Sequence, residues 1–296
     1  MKFYREKQNI LKITGTDKQD FLHRTSTNDF SGFGACDSMR TVFTNEKGRI
    51  VDFSLVASKD GIFYIFCTKG NETALTDFFN KYIVTEDIRV ETQVRETPIF
   101  YIDSKDSKNF LFERGENDSV SEVEGNIFVK DVYGFEKTFV LMNNQESDFL
   151  RLLMAENEEV PEEEFGLFAL RNRFLYSSRE FNASVNPLEC GLQDFISFSK
   201  GCYIGQEVIS RLDTQNKVQK EIFGFSCEIR LEPGDKIYAA ADDKEEECGY
   251  ISSVFSTGSG CEGAGFLKKI FTEGGKTFYT KRNGIQEIDI NKFSKL

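Results

Sequence analysis

Apolar and polar residues alternate along much of the N-terminal part of the chain, which predicts a β-sheet. A strand is predicted at 10–14, and two further strand-like runs are joined by 45–48 (N-E-K-G), whose composition is typical of a hairpin turn. The spacing changes at Glu72–Tyr82, where apolar residues recur at i, i+3, i+4 and i+7 and predict an amphipathic helix. Another helix is predicted after Asp17, the expected N-cap.

Short strands separated by polar turns are predicted from 89 to 142, and one of them is the run N-F-L-F-E at 109–113. Two helices are expected next, one after Glu146 and one around 162–173. From about residue 219 onward the pattern is purely β, with glycines breaking short strands about every ten residues, which is typical of a small barrel or sandwich. The fold class predicted from these patterns is α+β.

Length and charge limit the classes of function. A chain of 296 residues can form two or three domains, and its net charge of −12 argues against a direct nucleic-acid partner. We expect the acidic run at 156–164 to be a solvated helix end and turn. No run approaches the roughly 18 apolar residues that span a bilayer, and the first ten residues resemble neither a secretory signal nor a transit peptide. A cytoplasmic protein without a membrane partner, and a monomer, is therefore expected.

The seven cysteines are odd in number and include no C-x-x-C pair, which disfavours a disulfide framework and a zinc site. No stably bound metal is expected, and most cysteines are predicted to be small core residues. The sequence holds one histidine, His23, so Ser-His-Asp or Cys-His catalysis would have to use it. We expect His23 to be a solvated helix residue.

Cys202 is the exception among the cysteines. It lies in the run S-K-G-C-Y-I-G-Q-E at 199–207, after an alternating apolar segment at 195–198 and before a helix-compatible stretch that starts at Gln206. This pattern predicts a strand, a tight loop and a helix start. A nearby Lys200 would lower the pKa of the Cys202 thiol and favour a reactive thiolate.

The run K-G-C-Y-I-G-Q-E resembles the signature of the YgfZ-like folate-binding proteins, which are related to the glycine cleavage T protein and to mitochondrial iron–sulfur assembly factors. Further segments are similar to this family: F-L-H-R-T-S-T-N-D-F, N-E-K-G-R-I-V-D, V-N-P-L-E-C-G-L, E-C-G-Y-I-S-S and G-A-G-F-L-K-K. The resemblance implies a folate-binding fold of the glycine cleavage T protein type around a central opening, with a small C-terminal β-barrel. The implied domains are 1–218, with subdomains of about 1–46 plus 143–218 and 47–142, and 219–296.

The resemblance also implies a ligand, partners and site residues. The ligand would be tetrahydrofolate or a derivative, and the partners would be iron–sulfur assembly proteins or client enzymes, with a link to tRNA modification. Cys202 and Lys200 would be the chemically active residues. The residues expected to contact the folate are Asn28, Asp52, Glu189, Tyr203, Gly205, Gln206, Glu207 and Arg211.

Two departures from the aminomethyltransferase pattern bear on the chemistry. The position aligned with the catalytic Asp of those relatives is Ala74, and the position aligned with their pteridine-binding Glu is Arg173. A carboxylate accepts the paired N–H groups of a pterin, whereas a guanidinium only donates. These departures argue against glycine-cleavage chemistry.

Three functions remain open. The protein could support assembly or repair of iron–sulfur proteins, with Cys202 as nucleophile, redox group or transient ligand; one thiol cannot hold a cluster alone, because clusters usually take four ligands. It could be a folate-dependent one-carbon transferase. It could also be a noncatalytic scaffold in which Gly201 and Gly205 provide unusual backbone angles.

Overall fold

The computed structural model describes residues 1–102, 118–241, 244–272, 277–281 and 286–291. Within these residues the chain forms one large mixed sheet followed by a closed barrel of six strands, with five α-helices packed around them. The helices are α1 (Lys18–Thr25), α2 (Glu72–Tyr82), α3 (Asp148–Ala155), α4 (Glu162–Arg171) and α5 (Gln206–Thr214).

The large sheet has the strand order β2-β3-β4-β1-β5-β8-β7-β6, and the short β9 pairs with β1 in parallel. Its strands are β1 (Lys2–Thr14), β2 (Ser38–Thr44), β3 (Ile50–Lys59), β4 (Ile62–Phe66), β5 (Arg89–Tyr101), β6 (Val120–Val123), β7 (Asn126–Asp131), β8 (Lys137–Leu141) and β9 (Glu158–Glu159). β1 and β5 pair along their whole length, from Lys2 opposite Tyr101 to Thr14 opposite Arg89. This pair joins the two halves of the sheet.

The barrel follows in the order β10-β13-β12-β11-β14-β15. Its strands are β10 (Lys220–Cys227), β11 (Lys236–Ala241), β12 (Lys244–Thr257), β13 (Gly260–Lys268), β14 (Phe278–Thr280) and β15 (Gln286–Asn291). Closing the sheet on itself removes exposed strand edges and encloses a separate apolar core. The predicted C-terminal barrel is confirmed, whereas the predicted division into domains stays a prediction.

Several predicted elements are confirmed. The hairpin turn at 45–48 joins β2 and β3, and the helix over Glu72–Tyr82 forms with the predicted bounds. The strand at 10–14 is the end of a much longer β1. The acidic run at 156–164 differs in part from the predicted helix end and turn, because after the end of α3 it contains β9 and the first turn of α4. The predicted strand at 109–113 lies outside the described residues.

The predicted strand before Cys202 is wrong. Gln193–Phe195 form a 3₁₀ turn and the following residues form no strand. The apolar residues alternate here because their side chains lie in different environments, and not because they form a strand. Phe195 packs on Phe53 in the sheet core, whereas Phe198 is 47 % exposed. In the part of the chain that the structure describes, no helix is long and apolar enough to cross a membrane.

Candidate functional site

The signature loop, residues 199–207, is fixed against the β2–β3 hairpin. Gly205 is the N-cap of α5 and has a φ of +84°, and a Cβ there would lie 2.5 Å from the Asn45 carbonyl oxygen. The Thr44 hydroxyl donates to the Ile204 carbonyl at 2.6 Å. Glycine is required at 205 because both the backbone angle and the close approach exclude a side chain. Gly201 has neither feature, since its φ is not in the left-handed region and no atom lies within 4 Å of its Cβ position.

Lys200 holds the same loop to the end of α1. Its ammonium donates to the carbonyls of Ser26 at 2.9 Å and Asn28 at 2.7 Å, and to that of His23. Burial lowers the pKa of Lys200 to about 8. A cation at the carbonyl end of a helix also interacts favourably with the helix dipole. Lys200 therefore tethers the loop to α1, and its ammonium is committed to these carbonyls.

Cys202 and Tyr203 face opposite surroundings. The Cys202 thiol is exposed, whereas the Tyr203 ring is buried against Ile196 and Ile209, and burial raises its pKa to about 12. The Tyr203 ring also lies under the Lys200 ammonium, 5.4 Å from the ring centre. The loop thus exposes the Cys202 thiol to solvent, while the contacts of Lys200 and Tyr203 hold the loop in place.

The other predicted site residues divide into two groups. Glu189, Asn28 and Asp52 serve as internal hydrogen-bond partners. Glu189 accepts from Arg49 at 3.3 Å and caps its own 3₁₀ turn, and Asn28 donates to the Arg40 carbonyl at 2.9 Å. Gln206, Glu207 and Arg211 lie on α5, where Glu207 and Arg211 are exposed.

Asp52 is fully buried. Its carboxylate accepts hydrogen bonds from the Ser54 hydroxyl, the Thr68 amide and the Asn71 side chain, and so fixes the segment that begins α2. Burial raises its pKa to about 6, and these hydrogen bonds oppose the increase. Ala74 lies on an exposed face of α2.

A cavity of about 680 Å³, here called the central cavity, opens between β2, the β7–β8 connection and the segment that follows α4. Its lining comprises Ser38, Met39, Arg40, Leu55, Ser119, Lys130, Asp131, Val132, Tyr133, Gly134, Arg171, Asn172, Arg173, Asp194 and Phe195. None of the predicted folate contacts is among these described lining residues. Arg173, the position singled out as a departure from the transferase pattern, is among them.

A buried group of three charges lies at the central cavity, where Arg40 and Asp131 belong to the lining and Lys137 is fully buried. The Asp131 carboxylate lies 2.8 Å from the Arg40 guanidinium and 2.9 Å from the Lys137 ammonium. Burial alone would raise the pKa of Asp131, but the two cations lower it to about 2, whereas burial lowers the pKa of Lys137 to about 8. Arg40 also packs on the rings of Phe53, Tyr133 and Phe174. The group of three charges therefore has a net charge of one positive unit and is surrounded by aromatic rings.

Sequence reasoning missed these cavity residues, although a signal was present. Arg40 and Asp131 interrupt runs that otherwise read as buried strands, M-R-T-V-F and I-F-V-K-D-V. A charge in such a run is costly unless it is paired, so each predicts a buried partner. The identity of that partner follows only from the folded sheet, in which β2 and β7 are not paired strands but come close to each other in space.

The order of the strands, the long β1–β5 pair and the appended barrel define the fold of the glycine cleavage T protein type. Among solved structures, the chain is similar to the glycine cleavage system aminomethyltransferase T from Bartonella henselae, with a TM-score of 0.78. The match covers 100% of this chain and 86% of that protein, at 12% sequence identity. The predicted fold is thereby confirmed.

Among curated proteins, the chain is similar to a protein of Arabidopsis thaliana named "putative transferase, chloroplastic", at 24% identity over 277 residues. The match covers 88% of this chain but 63% of the relative, so the chain spans less than two thirds of the relative's length. No family model matches the sequence.

Proposed function

We propose that the protein binds a tetrahydrofolate-type ligand in the central cavity and supports assembly or repair of iron–sulfur proteins through the Cys202 thiol. The observation that carries the first part is the central cavity itself. Its volume of about 680 Å³ lies within the range of pockets that enclose small-molecule ligands. The iron–sulfur part rests on the signature loop and its resemblance to the assembly-factor family.

The chemistry of the cavity lining suits a reduced folate. Asp194 is an exposed carboxylate on the lining, and it could accept paired N–H groups of a pterin, the role that Arg173 cannot fill. Lys130, Arg171 and Arg173 line the same cavity and would attract an anionic glutamate tail, in a chain whose overall charge is −12. Tyr133 and Phe195 offer aromatic surface to a flat ring. When bound, a reduced folate would supply a carrier for one-carbon groups.

Calorimetric titration with tetrahydrofolate tests the ligand. We expect binding heat from the wild-type protein and at least tenfold weaker binding by Asp194→Asn, because the variant loses the charged acceptor. Asp213→Asn is the matched control, since Asp213 is exposed on α5 and is not a lining residue. Absence of binding heat at millimolar ligand, or equal weakening by both variants, would contradict the proposal.

Rescue of iron–sulfur enzyme activity in a strain that lacks the gene tests the role of Cys202. Cys202→Ala should abolish rescue without lowering the melting temperature, because the thiol is exposed and contributes little packing. Cys36→Ala, at another cysteine that is not buried, should rescue normally. Full rescue by Cys202→Ala would leave this thiol without the proposed role.

A one-carbon transferase is the second candidate, and the similarity to the Arabidopsis relative favours it. Turnover of an aminomethyl or methyl donor with tetrahydrofolate as acceptor would support this candidate. Folate binding without turnover would favour the accessory role.

A further inference from the structure

Two cysteines face each other across neighbouring strands of the barrel. Cys227 ends β10, Cys261 lies near the start of β13, and the two are directly paired in the antiparallel register. Residues paired in this way have side chains on the same face of the sheet, and both cysteines contact the barrel core. Neither cysteine is in a disulfide.

This placement meets the geometric requirement of a disulfide. Directly opposed residues of antiparallel strands have Cα atoms roughly 4.5–5.5 Å apart, and disulfides span Cα distances of about 4.4–6.8 Å. Cys248 shares the same core but has another arrangement. The register between β11 and β12 skips Cys248, and its thiol donates to the Ile237 carbonyl at 3.4 Å.

The two thiols differ in access. Cys227 is half-buried, so a small reagent can reach it from solvent. Cys261 is 2 % exposed and its thiol donates to the Ile229 carbonyl at 3.0 Å. Burial also raises the pKa of Cys261, which disfavours its thiolate. The pair therefore has an outer, attacking thiol and an inner, resolving thiol.

We propose that Cys227 and Cys261 are a modification site that forms a reversible cross-strand disulfide by exchange with a low-molecular-weight disulfide of the glutathione class. The Cys227 thiolate attacks one sulfur of the small disulfide, forms a mixed disulfide and releases one small thiol. Cys261 then loses its proton, attacks the Cys227 sulfur and releases the second small thiol. Two protein thiols are oxidised, and one small disulfide is reduced to two thiols.

The full-length protein, equilibrated with excess oxidised glutathione, alkylated and mapped under non-reducing conditions, tests the proposal. We expect a peptide that links 227 to 261, two fewer alkylation labels on these residues than in the reduced protein, and complete reversal by dithiothreitol. Exposed Cys202 is the internal reference, because it should take up glutathione as a mixed disulfide and keep it.

Variants separate the two steps. Cys261→Ala should hold a stable glutathione adduct on Cys227, whereas Cys36→Ala should form the 227–261 link as the wild-type protein does. Three results on the wild-type protein would overturn the proposal: a lasting adduct on Cys227, a link to Cys248, or both thiols remaining alkylatable. These wild-type results decide the question even if Cys261→Ala does not fold.

Discussion

At the scale of single residues, buried carboxyls of the large sheet differ in how well they are satisfied. Asp52 has three hydrogen-bond donors around its carboxylate. Glu6 on β1 is 4 % exposed, and its Oε1 has no hydrogen-bond partner among the described residues. Burial raises the pKa of Glu6 to about 7, with opposition from the charge of Lys69. Glu6 therefore favours its protonated form inside the fold.

Replacing Glu6 with glutamine should stabilise the protein in a pH-dependent way. Between about pH 4.5 and 7 the folded state holds a proton on Glu6 that the unfolded state has released, so stability decreases as pH rises through this window. Glu6→Gln should therefore change little near pH 4.5 and gain roughly 3 kcal/mol at pH 8, which is the shift in pKa converted to free energy. Urea unfolding at both pH values measures it.

Glu96→Gln is the control for this change, since Glu96 is exposed on neighbouring β5. It should have a similar small effect at both pH values. A Glu6→Gln variant that is less stable than the wild-type protein at pH 8 would contradict the expectation.

At the scale of elements, the sequence pattern predicted those elements whose structure depends mainly on residues close together in the chain. The hairpin at 45–48 and helix α2 follow from turn composition and helical spacing, and both formed as expected. The residues before Cys202 do not form the predicted strand, because their backbone groups form hydrogen bonds with a distant segment of the chain. The Ser197 amide donates to the Thr27 carbonyl at 2.9 Å, and the Thr27 hydroxyl donates to the Phe195 carbonyl.

Long-range placement also determines the roles of the predicted site residues. Lys200 lies two positions from Cys202 in the sequence, and this proximity led to the prediction that its charge favours the Cys202 thiolate. The ammonium instead reaches carbonyls that lie more than 170 positions earlier in the chain. Sequence proximity gives no information about such a partner, so the fold was predictable and the arrangement of the site was not.

Gly205→Ala should unfold the junction between the signature loop and the hairpin. Alanine in the left-handed region costs roughly 1–2 kcal/mol, and the contact with the Asn45 carbonyl adds to it. Gly201→Ala should stay within about 0.5 kcal/mol of the wild-type protein, because its Cβ position is open. Thermal unfolding of both variants measures the difference, and equal melting temperatures would contradict the close contact between Gly205 and the hairpin.

At the scale of the whole molecule, α4 connects the barrel to the central cavity. Arg171 lines the cavity and also donates to Glu262 of β13 at 2.6 and 3.0 Å. Glu180, in the chain that follows α4, accepts from Ser253 of β12. The position of the barrel therefore affects the rim of the cavity directly. Loosening the contact between α4 and the barrel should weaken the binding of any ligand in the cavity.

Helix α4 approaches the barrel closely at Gly166, where an added Cβ would lie 2.1 Å from the ring of Phe255. Helix propensity alone predicts that Gly166→Ala stabilises the protein by about 1 kcal/mol. The clash with Phe255 predicts the opposite sign, because the ring and β12 must move. We therefore expect Gly166→Ala to lower the melting temperature and to increase hydrogen exchange in β12 and β13.

Phe255→Ala provides the matched background, since it removes the ring that the new methyl group would meet. In that background Gly166→Ala should become neutral or stabilising, and a double-mutant cycle should give a coupling energy of roughly 1–3 kcal/mol. A Gly166→Ala effect of the same size with and without the Phe255 ring would mean that this contact does not hold the barrel against α4. Urea unfolding measures the effect of Gly166→Ala on the free energy of unfolding in both backgrounds. A change in the sign of this effect would indicate that the barrel and the sheet act as one unit around the cavity.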